Sequence, residues 1–231
     1  MSHFSHIEDA LEALAVGLPV IVLDSEDREN EGDFVVAAEK VTPQLIHFLI
    51  THGRGQVCMP VTTDTARRLD LQPMVPARGN EVPNFTVPVD HGNCKTGISP
   101  FERCATIRAI VDEESRPEDF IRPGHMFPLV ARDGGVLVRQ GHTEASIELV
   151  RMAGLRPAAV LCEICSNDGL HMARQEELLH LAADSHIPIV TIDALIDIRR
   201  REEAQKASSR GSQAGCESVA HLRSRANNAA V

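Results

Sequence analysis

No run of about 18 apolar residues, the length a membrane-spanning helix needs, occurs in the 231-residue sequence. Positive charge is also scarce. There are 23 Lys and Arg against 33 Asp and Glu, a net charge of -10, which disfavours general electrostatic attraction to nucleic acid or to an anionic membrane. Any phosphate must be bound locally. The opening residues, MSHFSHIEDALEAL, lack a basic stretch followed by an apolar one, so the expectation is a cytoplasmic protein. A disulfide framework is missing too: Cys58, Cys94, Cys104, Cys162, Cys165 and Cys216 are scattered, and reduced thiols are expected. Cys162 and Cys165 form a C-x-x-C without a second pair at zinc-ribbon spacing, so structural zinc is not expected there. Internal repeats are absent. With 43% hydrophobic and 24% charged residues, one domain with a substantial core is predicted.

What is present is a concentration of acid. Asp24 to Asp33 reads DSEDRENEGD, with Asp24, Glu26, Asp27, Glu29, Glu31 and Asp33 around a single Arg28. Apolar strand-like runs, Val20–Leu23 and Phe34–Ala37, flank it. Like charges this close repel and raise one another's pKa, so either solvent or something cationic must offset them. An acidic surface loop and a site at a strand end both fit this stretch.

The remaining pattern alternates between helical and strand periods. Ile7, Ala10, Leu11 and Leu14 predict a helix from His6 to Val16. Thr42 caps a second helix with Pro43 at its first position and Leu45, Ile46, Leu49 and Ile50 as its buried stripe. Gln56–Pro60 is a short strand, and Thr62 or Thr63 opens a helix toward Leu69. Asp70 to Pro83 reads as an exposed loop, and Phe85–Val89 as an edge strand. Ser99, Pro100 and Glu102 have the spacing of a capping box before a helix to Val111, whose N-terminus would suit an anion. Met126–Val130 and Val136–Arg139, joined through Asp133-Gly134-Gly135, are predicted to form a hairpin. A helix from His142 to Ala153, a strand Ala158–Ile164, a helix Glu176–Ser185, a strand Ile187–Ile192 and a last helix capped by Asp193 complete the set. Such alternation by itself points to a largely parallel α/β sheet. From Arg199 onward seven Lys or Arg meet three Glu, a balance of +4 that leaves -14 on the rest. Few large apolar residues accompany them, so a domain over 1–200 and a disordered basic tail over 201–231 are expected.

Several reactive side chains fall at predicted strand ends or helix starts. They are Arg28, Glu29 and Asp33, then Cys58, His125, Arg139 through Thr143, and Glu163. Taken singly, His125 fits a turn histidine and Cys58 a small core residue. The stretch Arg139, Gln140, Gly141, His142, Thr143 says more, because an arginine, backbone amides and a threonine hydroxyl opening a helix form a phosphate cradle. A metal would account for the acidic loop, with Glu29 as a candidate ligand, and Mg²⁺, Mn²⁺ and Zn²⁺ all remain open.

Set together, DSEDRENEGD, HGRGQVCMPVT, KTGISPFERCATIR, RPGHMFPL and GGVLVRQGHTEASIELVRMAGLRPAAVLCEI closely resemble the 3,4-dihydroxy-2-butanone 4-phosphate synthase family of riboflavin biosynthesis. The likeness covers residues 7–200 in order. It implies an α+β fold, an α/β sandwich with a mixed sheet flanked by helices, and a homodimer whose active sites lie near the subunit interface. The implied reaction converts ribulose 5-phosphate to the butanone phosphate and formate, with Mg²⁺, or Mn²⁺ in its place, on Glu29 and His142. Arg28, Glu29, Asp33, Arg139, Gln140, Gly141, His142, Thr143 and Glu163 would contact the sugar phosphate; His125, Glu163, Asp33 and Cys58 would be catalytic. The chain departs from the family at Ser25, where a second aspartate is usual. Many relatives carry a GTP cyclohydrolase II domain, and its zinc cysteines have no counterpart here, so a single activity is expected. A metal-dependent sugar-phosphate isomerase and a noncatalytic scaffold are the competing readings.

Overall fold

The structure is a computed structural model that describes residues 3–76, 79, 82–206 and 208. It divides into two units, residues 1–195 and 196–231. In the first, the elements run α1 (Ile7–Ala15), β1 (Val20–Leu23), β2 (Gly32–Ala37), α2 (Pro43–Phe48), β3 (Arg54–Val61), α3 (Thr63–Arg68) and β4 (Val89–His91). They continue through α4 (Pro100–Val111), β5 (Phe120–Val130), α5 (His142–Met152), β6 (Ala159–Ile164), α6 (Gln175–Ser185) and β7 (Ile189–Thr191). The start signals work as the sequence suggests: Thr42, Thr62 and Ser99 each accept the amide three residues on.

Seven strands form one sheet in the order β4-β5-β3-β6-β2-β1-β7. β1 pairs with β7, and β3 with β5, in parallel; every other neighbouring pair is antiparallel. The sheet is therefore mixed, as the family resemblance implies, and not the parallel sheet that the alternation of elements suggested. The reason lies at the acidic loop. It joins β1 to β2 with no helix between them, so the chain turns straight back and pairs antiparallel.

Strand periodicity sorts the residues onto two faces. Phe34, Val36, Val57, Met59, Val61, Val160, Cys162 and Ile164 join one apolar core with Ile46 of α2, Ile107 and Ile110 of α4, and Leu178 of α6. The alternate residues Asp33, Val35, Cys58, Leu161 and Glu163 belong to the opposite face, where α5 packs on β1, β2, β3 and β6 and α1 packs on α5. On this face the apolar middle gives way to polar side chains toward one end of β2 and β6.

α5 is buried from His142 through Val150, so it carries Glu144 and Glu148 into the interior. Both serve the preceding loop. Glu144 accepts the amide of Arg132 at 3.0 Å and pairs with Arg139 at 2.7 Å, and Glu148 accepts the amide of Val136 at 3.1 Å. This corrects the expected hairpin. Gly134 and Gly135 both take positive φ, 96° and 63°, and turn the chain into a 3-10 turn over Gly135–Leu137. Glu148 then takes the Val136 amide that a strand ladder would have used. The edge strand differs as well: β4 is Val89–His91, while Phe85 and Thr86 form only isolated bridges. Parts of the loop expected over 70–83 lie outside the described residues.

In the second unit, residues 196–206 are helical and Arg199 pairs with Glu202 one turn on. The first residues of the expected tail, 201–206, are thus helix, as suits a Glu-, Ala-, Gln- and Lys-rich stretch. Residues 209–231 lie outside the described residues.

Candidate active site

The acidic loop is wound around Asp24, which is 3% exposed. Its Oδ1 accepts the amide of Glu31 at 2.8 Å. Its Oδ2 accepts the Glu29 amide at 3.1 Å and Arg28 Nη1 at 2.7 Å. The guanidinium also reaches Glu29 at 2.8 Å. One buried carboxylate, held by two amides and a cation, therefore organises the others, which explains how six acids share one turn. From the N-cap of α6, Arg174 Nη1 donates to the carbonyls of Glu29 and Asn30 at 2.6 and 2.9 Å.

Ligand atoms of Asp24, Glu29 and His142 lie within 4.8 Å of one another, the cluster of metal-binding type found among the described residues. Asp24 already takes three donors. Of the other two, Glu29 is half exposed and His142 Nε2 lies 3.2 Å from the Glu31 carbonyl, to which it donates when it carries the proton. A carboxylate and an imidazole form a donor set that could hold a divalent cation.

Beside this cluster opens a cavity of about 210 Å³. Arg28, Glu29, Asp33, Cys58, Arg139, His142, Thr143 and Glu163 all line it, together with Glu31, Pro83, Phe85, Leu129 and Leu161. Eight of the residues singled out in the sequence are thus brought together by four elements and two loops. Asp33 of β2 stands directly opposite Glu163 of β6 in the ladder. Burial, reinforced by Glu163, Glu29 and Glu31 against the opposing pull of His142, pushes the Asp33 carboxyl up to about 7. It can hold or release a proton near neutrality. Burial first, then Glu163 and Asp33, push the Cys58 thiol well above its ordinary range, so Cys58 faces the cavity as a neutral thiol and not as a thiolate nucleophile.

Three residues singled out in the sequence do not line the cavity. Gln140 is exposed. Gly141 caps α5, and a Cβ there would meet Arg139 Nη1 at 2.2 Å; its part is to let the buried Arg139–Glu144 pair lie against the backbone. His125 stands on β5, bound to Asp90 through its amide at 2.9 Å and its Nδ1 at 2.7 Å, with its side chain 44% exposed. At the start of α4, Ser99 Oγ accepts the Glu102 amide at 3.2 Å, and the Glu102 side chain reaches back over the preceding loop. Its carboxylate accepts the amides of Lys95, Thr96 and Gly97 at 2.5, 3.2 and 3.1 Å. These bonds, Lys95 foremost, bring it down to about 2. Asp90, Glu144 and the organising role of Asp24 escaped the sequence reading. Only Asp24 left a signal there, as the acid nearest the buried strand.

A mixed α+β sheet with opposed carboxylates, an imidazole and two arginines at its strand ends defines a class: a sheet-borne acid–base site able to hold a divalent cation beside an oxygen-rich anion. Within that class the chain belongs to the 3,4-dihydroxy-2-butanone 4-phosphate synthase family, whose sequence pattern it matches over residues 8–198. It is 48% identical over 200 residues to the synthase of Wolinella succinogenes, covering 86% of this chain and 57% of that one. To the riboflavin biosynthesis protein RibBA of Bacillus mycoides it is 50% identical over 201 residues, covering 87% and 50%. The chain thus spans little more than half the length of these curated relatives. Among solved structures, a 3,4-dihydroxy-2-butanone 4-phosphate synthase in complex with two magnesium ions superposes with a TM-score of 0.81 at 37% identity, over 87% of this chain and 99% of that one. The two-domain synthase RibBX of A. baumannii gives 0.81 at 44% identity, over 84% and 58%.

Proposed function

We propose that this chain is a lyase that converts D-ribulose 5-phosphate to 3,4-dihydroxy-2-butanone 4-phosphate and formate in riboflavin biosynthesis. The observation that carries the reading is the convergence of Glu29 and His142 with Asp33 and Glu163 on one cavity. The reaction consists of enolisation, dehydration, skeletal rearrangement and loss of carbon 4 as formate, a water re-entering at that carbon to balance the one lost. It needs proton transfers at neighbouring carbons and no external oxidant or reductant.

Glu29 and His142 would hold Mg²⁺, with Mn²⁺ as the alternative, and the bound cation would supply Lewis-acid polarisation of the sugar oxygens. Asp33, near neutrality, is suited to take a proton from carbon and return it to oxygen. Glu163, fixed by the amide of Gln56 at 2.7 Å, is the second acceptor. Arg28, Arg139 and Thr143 at the start of α5 would bind the phosphate, away from the reacting carbons, and so contribute orientation. Cys58 lines the wall as a neutral, space-filling contact.

His125 is outside the cavity of its own chain. Since the family resemblance implies a homodimer with sites near the interface, we place His125 in the partner's cavity, its Nδ1 held by Asp90 and its Nε2 available for proton transfer. No helix among the described residues is long and apolar enough to cross a membrane. Scattered cysteines, five of them free thiols among the described residues, support our proposal of a cytoplasmic location.

The test is incubation with ribulose 5-phosphate and Mg²⁺, with and without a chelator. The expected result is formate in equal amount to the four-carbon phosphate, lost on chelation. Isomerised sugar phosphate without formate would replace this reading with the isomerase, and no turnover with any divalent metal would leave the scaffold.

A further inference from the structure

The ladder between β3 and β6 slips by one residue. Arg54 pairs with Ile164, whereas Val57 pairs with Cys162, so Gly55 and Gln56 together stand opposite Glu163 alone. This is a β-bulge, a device that re-aims the side chains beside it.

Several separate features hold the bulge in place. A π-helical turn over Leu49–Gly53 leads into it, and Arg54 takes φ of 66°, a left-handed backbone that side chains rarely adopt. The Arg54 side chain fastens that conformation, because its Nη2 donates to the carbonyls of Cys165 and Ser166, both at 2.7 Å. The Cys165 amide returns a bond to the Gly53 carbonyl at 2.8 Å. Gly55 has no room for a side chain: a Cβ there would lie 2.6 Å from both the carbonyl oxygen and Oε2 of Glu163. Gln56 then presents its amide to Oε2 at 2.7 Å. Backbone and carboxylate can meet this closely only at a glycine.

We infer that the Arg54–Gln56 bulge is a positioning device for the Glu163 carboxylate, fixing one oxygen on a backbone amide where the group meets the cavity. The inference rests on the reading of Glu163 as an acid–base group. Arg54, Gly55 and Gln56 do not line the cavity, so they are positioning residues. Their effect should appear in turnover and hardly in substrate binding.

The experiment compares Gly55→Ala, Arg54→Ala and Glu163→Gln with the parent protein. It measures kcat and KM for ribulose 5-phosphate with Mg²⁺ and thermal unfolding. For Gly55→Ala, kcat is expected to fall on the order of 100-fold, as a displaced catalytic group does, with KM changed less than about threefold. Arg54→Ala should show the same pattern more weakly. A folded Gly55→Ala protein with parental kcat would overturn the inference, as would a loss confined to thermal stability or one carried by KM. If Gly55→Ala does not fold, Arg54→Ala decides by the same kcat and KM readouts. The underlying reading fails separately: full activity in Glu163→Gln would remove Glu163 from the chemistry whatever the bulge variants do.

Discussion

Asp33 is the residue at which fold and chemistry pull in opposite directions. Its carboxyl, ordinarily near 3.8, is pushed up to about 7 by burial beside other acids. A raised acid keeps its proton in the folded protein over a range where the unfolded chain has lost it. The stability it contributes is therefore present in full below the unfolded value and is lost as pH rises through the folded one. Without metal, Asp33→Asn should gain stability relative to the parent as pH is raised from about 4 to about 8, by an upper limit on the order of 4 kcal/mol. Denaturant unfolding of chelated protein across that range checks the sign; a variant that loses ground with rising pH would mean that Asp33 is ionised when folded. Glu29 calls for a different outcome. Half exposed and not part of the core, it can be changed to Gln with the fold retained, and metal-dependent formate release should then fall by at least about 100-fold. Parental activity in Glu29→Gln would remove it from the metal site.

At the scale of elements, the loop between β5 and α5 shows why glycine spacing alone misleads. Asp133-Gly134-Gly135 between two apolar runs is a hairpin signal, yet the buried Glu148 of α5 takes the Val136 amide the second strand would have paired. Gly135 is needed twice over. Its φ is positive, and a Cβ would meet Glu148 Oε1 at 1.8 Å, whereas at Gly154 φ is positive with nothing within 4 Å. Gly154→Ala should cost about 1 kcal/mol, the backbone term alone, and Gly135→Ala at least about 2 kcal/mol. Equal losses in denaturant unfolding would show that the Glu148 contact is not stabilising the turn.

For the whole molecule, the position of His125 sets the strongest test. If each cavity draws His125 from the other subunit, His125→Ala and Glu163→Gln are each inactive alone, and one intact site forms in a mixed dimer. Mixing equal amounts after dissociation should restore about a quarter of parental formate release, since about half the dimers are mixed and each has one working site. No recovery would return His125 to its own chain and require that chain to move.

Much of the architecture was legible without coordinates because it is written in local rules. Caps at Thr42, Thr62 and Ser99, prolines at first helical positions and alternating apolar runs each act within a few residues, and their elements lie where expected. The acidic loop was legible as a site because six carboxylates in ten residues conflict with ordinary solvation at a buried strand end. Strand order was not. The mixed sheet came from family likeness, since antiparallel insertion of β6 between β3 and β2 depends on contacts between residues more than a hundred positions apart. Tertiary structure alone decided that Asp24 is the hub of its loop and that Glu29 stands half exposed beside it. It also decided that Asp33 is buried opposite Glu163, burial above all making it a near-neutral acid, and that Glu102 reaches back to the loop before α4. These outcomes rest on burial and on which donor reaches which carboxylate first, quantities that exist only once distant segments share one low-dielectric interior.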